Sequence, residues 1–275
     1  MKKVCLLLSY EERLAKLGKL IEKLQTCGVS CEARWAEEGY VSEDGTLYLT
    51  DRACMVCKLY DEGLPVLAYL HEGNRGENFS GAKYACEDAG ELEPEYLERV
   101  YRRFKGLPWK ILETERCVLR ESVEEDVDAF FEIYANPAIT RYMENLHESR
   151  MEERAYIREY REKVYAFYEF GVWTVILKET GEIIGRAGLS VREGSEIPEL
   201  GYVIGMPWQG RGLAREVCRG ILEYADAEFE FEQIQAVIHR ENIRSIKVAD
   251  ALGFEKQLRS DDFCENVVFF VRSKQ

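Results

Sequence analysis

A chain of 275 residues exceeds one ordinary domain, and a hydrophobic content of 46% is enough to fill two cores. The net charge of −14 and a pI near 4.9 argue against nucleic-acid backbones or anionic membrane surfaces as main partners, while cationic amines remain compatible. No apolar run approaches membrane-spanning length, the apolar start Met1-Lys-Lys-Val-Cys-Leu-Leu-Leu8 ends too soon for a secretory leader, and nine cysteines, an odd number, do not suggest a disulfide framework. A two-domain cytoplasmic protein with reduced thiols is expected.

Lys3 to Leu8 reads as a short apolar strand, and Glu11 to Thr26 places Leu14, Leu17, Leu20, Ile21 and Leu24 on one helical face before Gly28 ends it. Val29 to Trp35 alternates as a strand. Thr46 to Thr50, a helix capped by Asp51 and ending at Gly63, strands at Leu64 to Leu70 and Lys83 to Cys86, and a helix from Pro94 to Phe104 follow. Strands alternating with helices imply a mainly parallel sheet, so residues 1–108 are expected to form a small Rossmann-like α/β domain. In open parallel sheets ligands bind beyond the carboxyl ends of the strands, which gathers Ser9, Asp51, Arg52, His71, Glu72, Asn74 and Arg75. That set can hold a small anion, yet each member also reads as an ordinary loop, capping or solvated residue, and no pair has catalytic spacing. Cys27-x3-Cys31 and Cys54-x2-Cys57 have a spacing that can hold zinc, but both also fit core packing as buried thiols, and no metal is expected.

Lys105-Gly-Leu-Pro-Trp-Lys110 reads as a linker, after which the pattern changes. A short strand starts at Cys117, Ser122-Val-Glu-Glu125 is a capping box opening a helix through Tyr134, and Asn136-Pro137 stops that helix. A charged helix from Met151 to Tyr168 carries Tyr156, Tyr160, Val164 and Phe167 at helical spacing. Gly171 to Lys178 and Glu182 to Val191 read as a hairpin, and Glu199 to Gly205 as the next strand. The loop Gln209-Gly-Arg-Gly-Leu-Ala214 then leads into a helix that turns Leu213, Val217, Ile221 and Leu222 toward the sheet. Backbone N–H groups at a helix start have no intrahelical partner and carry the positive end of its dipole, so this loop can cradle a pyrophosphate. A strand at Gln233 to His239, a helix at Ser245 to Leu252 closed by Gly253, and a strand at Val267 to Val271 complete the chain.

Gln209-Gly-Arg-Gly-Leu-Ala214 resembles the Q/R-x-x-G-x-G/A signature of the GNAT superfamily of acyl-CoA N-acyltransferases, and Asn242-Ile-Arg-Ser245 through Leu252-Gly-Phe254 resembles its second motif, in the family order. Thr114-Glu-Arg-Cys-Val-Leu-Arg120, Trp173-Thr-Val-Ile176, Gly181-Glu-Ile-Ile-Gly185 and Glu199-Leu-Gly-Tyr-Val-Ile204 are similar to the RimJ/RimL branch, whose members acetylate protein N-termini or small amines. The first segment only loosely resembles HAD-like and receiver-like Rossmannoid domains. Cys5-Leu-Leu-Leu-Ser9 stands where HAD phosphohydrolases carry paired aspartates, so phosphatase chemistry is not expected there.

For residues 114–275 the resemblance implies a GNAT fold with a central mixed, mostly antiparallel, splayed sheet. It implies acetyl-CoA as cosubstrate and direct acetyl transfer to a primary amine through a ternary complex, in a monomer or homodimer. Strand N–H groups around Tyr202, Val203 and Ile204 would hold the thioester carbonyl, and main-chain amides of Gln209, Gly210, Arg211, Gly212, Leu213 and Ala214 the pyrophosphate. Glu199 is the candidate general base or amine-orienting group. Many members carry an acidic tyrosine seven positions after the motif asparagine; here that position is Ala249, which moves attention to Ser245, with Asn242 as a pantetheine anchor, a support for Ser245 or a plain helix cap. Tyr142, Trp173 and Tyr202 can line the acceptor side or fill the core. A covalent route through Cys117, Cys218 or Cys264 lacks a paired histidine. The alternative function is a non-catalytic acyl-CoA sensor.

Overall fold

The computed structural model describes residues 1–9, 12–192, 194–257 and 266–274, so Glu11 and Cys264 lie outside the described residues. The chain divides into two compact units, Met1–Trp109 and Lys110–Gln275.

The first unit contains β1 (Lys3–Leu8), α1 (Glu12–Lys16), α2 (Gly18–Thr26), β2 (Ser30–Trp35), β3 (Thr46–Thr50), α3 (Ala53–Asp61), β4 (Val66–Tyr69), β5 (Ala85–Cys86) and α4 (Pro94–Phe104). Its five strands are ordered β2-β1-β3-β4-β5, and every pairing is parallel. Parallel strands need covering on both faces, and each face has its own core. Val4, Leu6 and Leu8 pack with Leu17, Leu20, Leu24 and Leu97, while Cys5 and Leu7 pack with Met55, Val56 and Leu59. The expected helix from Glu11 is broken in two at Leu17. Asp51 does not cap α3. The amide of Ala53 donates instead to Glu77 (2.8 Å), and the Asp51 side chain turns inward. The buried face of α3 is Ala53, Met55, Val56 and Leu59, which leaves Cys54 and Cys57 exposed rather than in the core; Cys27 is exposed as well.

The second unit is built on one eight-stranded mixed sheet, ordered β12-β13-β11-β10-β9-β8-β7-β6. Its strands are β6 (Lys110–Glu113), β7 (Cys117–Arg120), β8 (Val172–Leu177), β9 (Ile183–Ser190), β10 (Glu199–Ile204), β11 (Gln233–His239), β12 (Glu255–Gln257) and β13 (Val267–Ser273). All pairings are antiparallel except β10 with β11. Its helices are α5 (Val127–Tyr134), α6 (Pro137–Thr140), α7 (Arg150–Tyr160), α8 (Ala166–Tyr168), α9 (Leu213–Glu228) and α10 (Ile243–Ala251). A π-helical turn at Arg161–Tyr165 joins α7 to α8.

Alternation along β10 sends its side chains to two different layers. Leu200 and Ile204 join the core formed with Leu213, Val217, Ile221 and Leu222 of α9, whereas Val203 packs with Ile133 and Tyr134 of α5. Ser122 is not the cap expected from its spacing. It is fully buried and takes a hydrogen bond from Thr174 (2.9 Å), and the amide of Val123 donates to Asp126 (3.0 Å). Asp126 also holds Arg120 through two bonds of 2.7 and 2.6 Å, which neutralises its buried charge.

Candidate active site

β10 and β11 meet at a single position, where Glu199 lies opposite Gln235 and the Gln235 amide donates to Pro198 O (2.8 Å). Beyond that point the strands part. Backbone groups of successive strand residues point to opposite sides, and the amide of Gly205 donates to Ile184 O of β9 (2.8 Å). Gly201, Val203 and Gly205 therefore spend their backbone groups on β9, while Tyr202 and Ile204, beyond the single pairing, turn theirs toward the gap. Of the three residues expected to supply free donors, Val203 points the wrong way and Tyr202 and Ile204 the right one. Parallel strands that pair once and then diverge leave polar main chain that a bound molecule can satisfy.

The loop after β10 is shaped by its glycines. Gly210 and Gly212 have φ of +76° and +79°, the left-handed region that L side chains avoid. A side chain on Gly205 would collide with the Trp208 indole, whose nearest atoms would lie 2.8 Å from its Cβ. Gly212 is the residue preceding α9, and it carries no side chain to cap that sixteen-residue helix. The first amides of α9, from Leu213, Ala214 and Arg215, thus have no side-chain cap from Gly212, and a helix start of this kind presents donors that suit an anion. Gln209 fixes the loop from inside: its Nε2 donates to Ile204 O and its Oε1 accepts from Arg244, both at 2.8 Å. Arg116 fixes it from outside, donating to Arg211 O (3.0 Å) and pairing with Glu216 of α9. This anchoring role of Arg116 was not drawn from the sequence, although the residue stands within the block Thr114 to Arg120.

Asn242 caps α10, its Oδ1 accepting from the Ser245 amide (3.2 Å). Ser245 Oγ in turn accepts from the Tyr202 hydroxyl (3.1 Å). Burial pushes the Tyr202 phenol up to about 12, so it stays protonated and able to donate. Ala249 is buried in the core beside this pair. The Tyr202 ring, expected to line the acceptor side or fill the core, packs against the core, and its hydroxyl contact with Ser245 has no counterpart in the sequence reading.

Glu199 shares the opposite face of β10 with Gly201 and Val203. Burial raises its pKa above the ordinary carboxylate value, with Arg192, 3.2 Å away, pulling it back down. A side chain placed on Gly201 would meet nothing within 4 Å, so the surface next to Glu199 is open. Trp173 lines no such opening; it is fully buried in the core against Tyr224. Tyr142 lies against His239 at the end of β11, 4.8 Å between centroids with the rings tilted by 32°. Cys117 and Cys218 are also core residues, and burial raises the Cys117 thiol to about 11 and drives Cys218 higher, so neither is a ready nucleophile.

In the first unit the sheet order places β1 beside β3 with β2 on the other flank, so the switch in winding falls between β1 and β3. Asp51 accepts there from the amide and hydroxyl of Ser9 (2.9 and 2.8 Å) and lies 3.3 Å from His71 Nε2. Asn74 holds the carbonyls of Asp51 and Tyr69 (both 2.9 Å). Arg52 instead faces Glu77 (3.6 Å), and Glu72 and Arg75 point into solvent. A hollow of about 800 Å³ lies beside His71 and Asn74. Among the described residues no group of three or more His, Cys, Asp or Glu forms that could hold a metal ion.

Residues 116–255 match the family model described as an acetyltransferase (GNAT) domain. An uncharacterised N-acetyltransferase, p20 of Bacillus licheniformis, is 27% identical over 147 residues, covering 53% of this chain and 83% of that protein. The [ribosomal protein uS5]-alanine N-acetyltransferase of Escherichia coli is 35% identical over 109 residues, 39% of this chain and 54% of that protein. The solved structure of a ribosomal-protein-S5-alanine acetyltransferase from Vibrio fischeri shares the fold, with a TM-score of 0.52 at 16% identity, covering 61% of this chain and 97% of the other.

Proposed function

This chain belongs to the GNAT acetyltransferase family, and on that premise we propose that it transfers an acetyl group from acetyl-CoA directly to a primary amine, with a protein N-terminus as the acceptor class. The observation that carries this reading is the single pairing of β10 with β11 above an uncapped α9: one gap offers bare strand amides and a helix start within a few residues of each other. Acetyl-CoA supplies an activated acyl group and a pyrophosphate. The amides of Gly210 to Arg215 suit the pyrophosphate, and those of Tyr202 and Ile204 suit the thioester carbonyl, where a donor is worth about 2.7 to 4 kcal/mol to a developing oxyanion.

An arriving ammonium has no lone pair, so its proton must leave before attack. Glu199 stands on the open face and orients the amine or removes that proton. On the opposite face, the Tyr202 hydroxyl points at Ser245, and the two form a donor chain suited to the departing thiolate where Ala249 offers no acid. The acceptor class draws on the E. coli uS5-alanine N-acetyltransferase, a relative with 35% identity over 109 residues.

The test is release of free thiol from acetyl-CoA in the presence of a peptide beginning with alanine, with spermidine and glucosamine as alternative acceptors. Turnover with the peptide, lost in Glu199→Gln, supports the proposal. Saturable acetyl-CoA binding without thiol release on any amine would instead identify an acyl-CoA sensor.

A further inference from the structure

The helix α7 buries a carboxylate that the reaction above does not use. Glu153 is 1% exposed. One of its oxygens, Oε2, accepts from the backbone amide of His147 (3.2 Å) and lies 2.8 Å from that residue's Nδ1. The other, Oε1, faces the guanidinium of Arg186 at 3.6 Å, too far for a hydrogen bond, and has no other partner. Arg186 is itself only 8% exposed and lies over the Phe130 ring. Oε2 already accepts from a backbone amide and Oε1 faces a guanidinium, so the geometry around Glu153 is that of a carboxylate that accepts. The Nδ1 of His147 must therefore carry its proton in that contact, which leaves Nε2 with a bare lone pair. The imidazole is half exposed while its partner is buried, so its free edge is the accessible one.

The register places this pair. Arg186 of β9 lies directly opposite Val203 of β10, and opposed residues of an antiparallel pair project on one face. That is also the face of Gly201 and Glu199. Leu146, next to His147, packs against the cluster that contains Val203.

We propose that His147, with its tautomer fixed by Glu153, is the group that takes the proton from the incoming acceptor ammonium; this rests on the amine-acetyltransferase reading. An R–NH3⁺ group gives one proton to Nε2 and becomes R–NH2. Its lone pair forms the new C–N bond to the thioester carbonyl, the C–S bond breaks, and the second proton lost from nitrogen neutralises the departing thiolate. The imidazolium then returns its proton to solvent. Glu153 and Tyr156 of α7 face the ring, Arg186 of β9 and Tyr134 of α5 lie beyond them, Glu144 of the preceding loop acts on Tyr156, and Glu148 follows His147 in the chain.

The experiment is a pH profile of kcat/KM with an alanine-initiated peptide for the full chain and its His147→Gln and His147→Ala variants. Each substitution is expected to lower kcat/KM about 10²-fold, to change the acid side of the profile and to leave the KM for acetyl-CoA unchanged, with His147→Ala regaining activity on addition of free imidazole. Glu153→Gln is expected to fall between, since it keeps a partner for Nδ1 but loses the charge. An active wild type whose profile is unchanged in His147→Gln, or a loss that imidazole does not restore, overturns the proposal. A wild type that releases no thiol with any amine overturns the underlying reading instead.

Discussion

Glu199 and Tyr202 sit three residues apart on one strand and serve opposite faces of it, which makes them separable by single substitutions. Burial raises the pKa of Glu199, so the ionised form that can hold and orient an acceptor ammonium is lost at a higher pH than for an ordinary glutamate. The acid limb of kcat/KM is accordingly expected above the usual carboxylate range, and Glu199→Gln should remove this contribution and lower kcat/KM about 10²-fold or more with little change in acetyl-CoA affinity. Isothermal titration with acetyl-CoA alongside the pH-rate measurement separates the two effects. Tyr202→Phe removes the hydrogen bond to Ser245 without removing the strand amide. It should lower kcat more than it raises either KM, and a rise in the acetyl-CoA KM alone would mean that the phenol only shapes the gap. At this scale the sequence was informative about residue types and less so about directions. Glu199, Tyr202 and Ser245 stand out in the motifs, but only the backbone shows that Tyr202 and Ile204, not Val203, turn their amides to the opening. Trp173 was eligible for the acceptor side by its composition alone; its position on β8 puts it in the core.

Elements were legible where the chain punctuates itself. Asn136-Pro137, the hairpin around Gly181 and the stop at Gly253 all lie where local chemistry alone dictates them. Caps were less legible, because a capping residue competes with tertiary partners. Ser122 is taken by Thr174, and Asp51 by Ser9 and His71, leaving Asp126 and Glu77 to satisfy the helix starts. The parting of β10 from β11 has no local signature at all, since it is a property of a pair of strands. Two glycines in this region bear different burdens. At Gly212 an added Cβ would meet only Arg116 Nη2, at an ordinary 3.7 Å, but the backbone is left-handed, so Gly212→Ala is expected to cost roughly 1 to 2 kcal/mol and to weaken acetyl-CoA binding. At Gly185 a Cβ would lie 1.9 Å from the Val203 carbonyl oxygen, so Gly185→Ala must push β9 from β10 and should destabilise the unit by more than that. Urea unfolding of both variants checks the order, and a larger loss at Gly212 would contradict it.

At the scale of the molecule, the family match over residues 116–255 falls inside the second unit, Lys110–Gln275. β6 begins that unit four residues earlier than the expected start at 114, because Lys110–Glu113 pairs with β7 and so belongs to its sheet. The parallel sheet of the first unit followed from alternating elements, whereas the meeting of Ser9, Asp51 and His71 at its carboxyl edge depends on strand order. A net charge of −14 attracts cationic acceptors over distances that salt screens. With a lysine-rich alanine-initiated peptide, kcat/KM should therefore fall as ionic strength rises, and less so with a neutral peptide; equal salt dependence would contradict a long-range electrostatic contribution.

The most direct test of the central claim is an acetyl-CoA titration followed by backbone amide ¹H–¹⁵N shifts of the full chain. Saturable shifts are predicted at Tyr202 and Ile204 and across Gly210 to Arg215, with Val203 moving less than its two neighbours. Saturation with those amides unmoved, or no response to acetyl-CoA at all, would contradict the account.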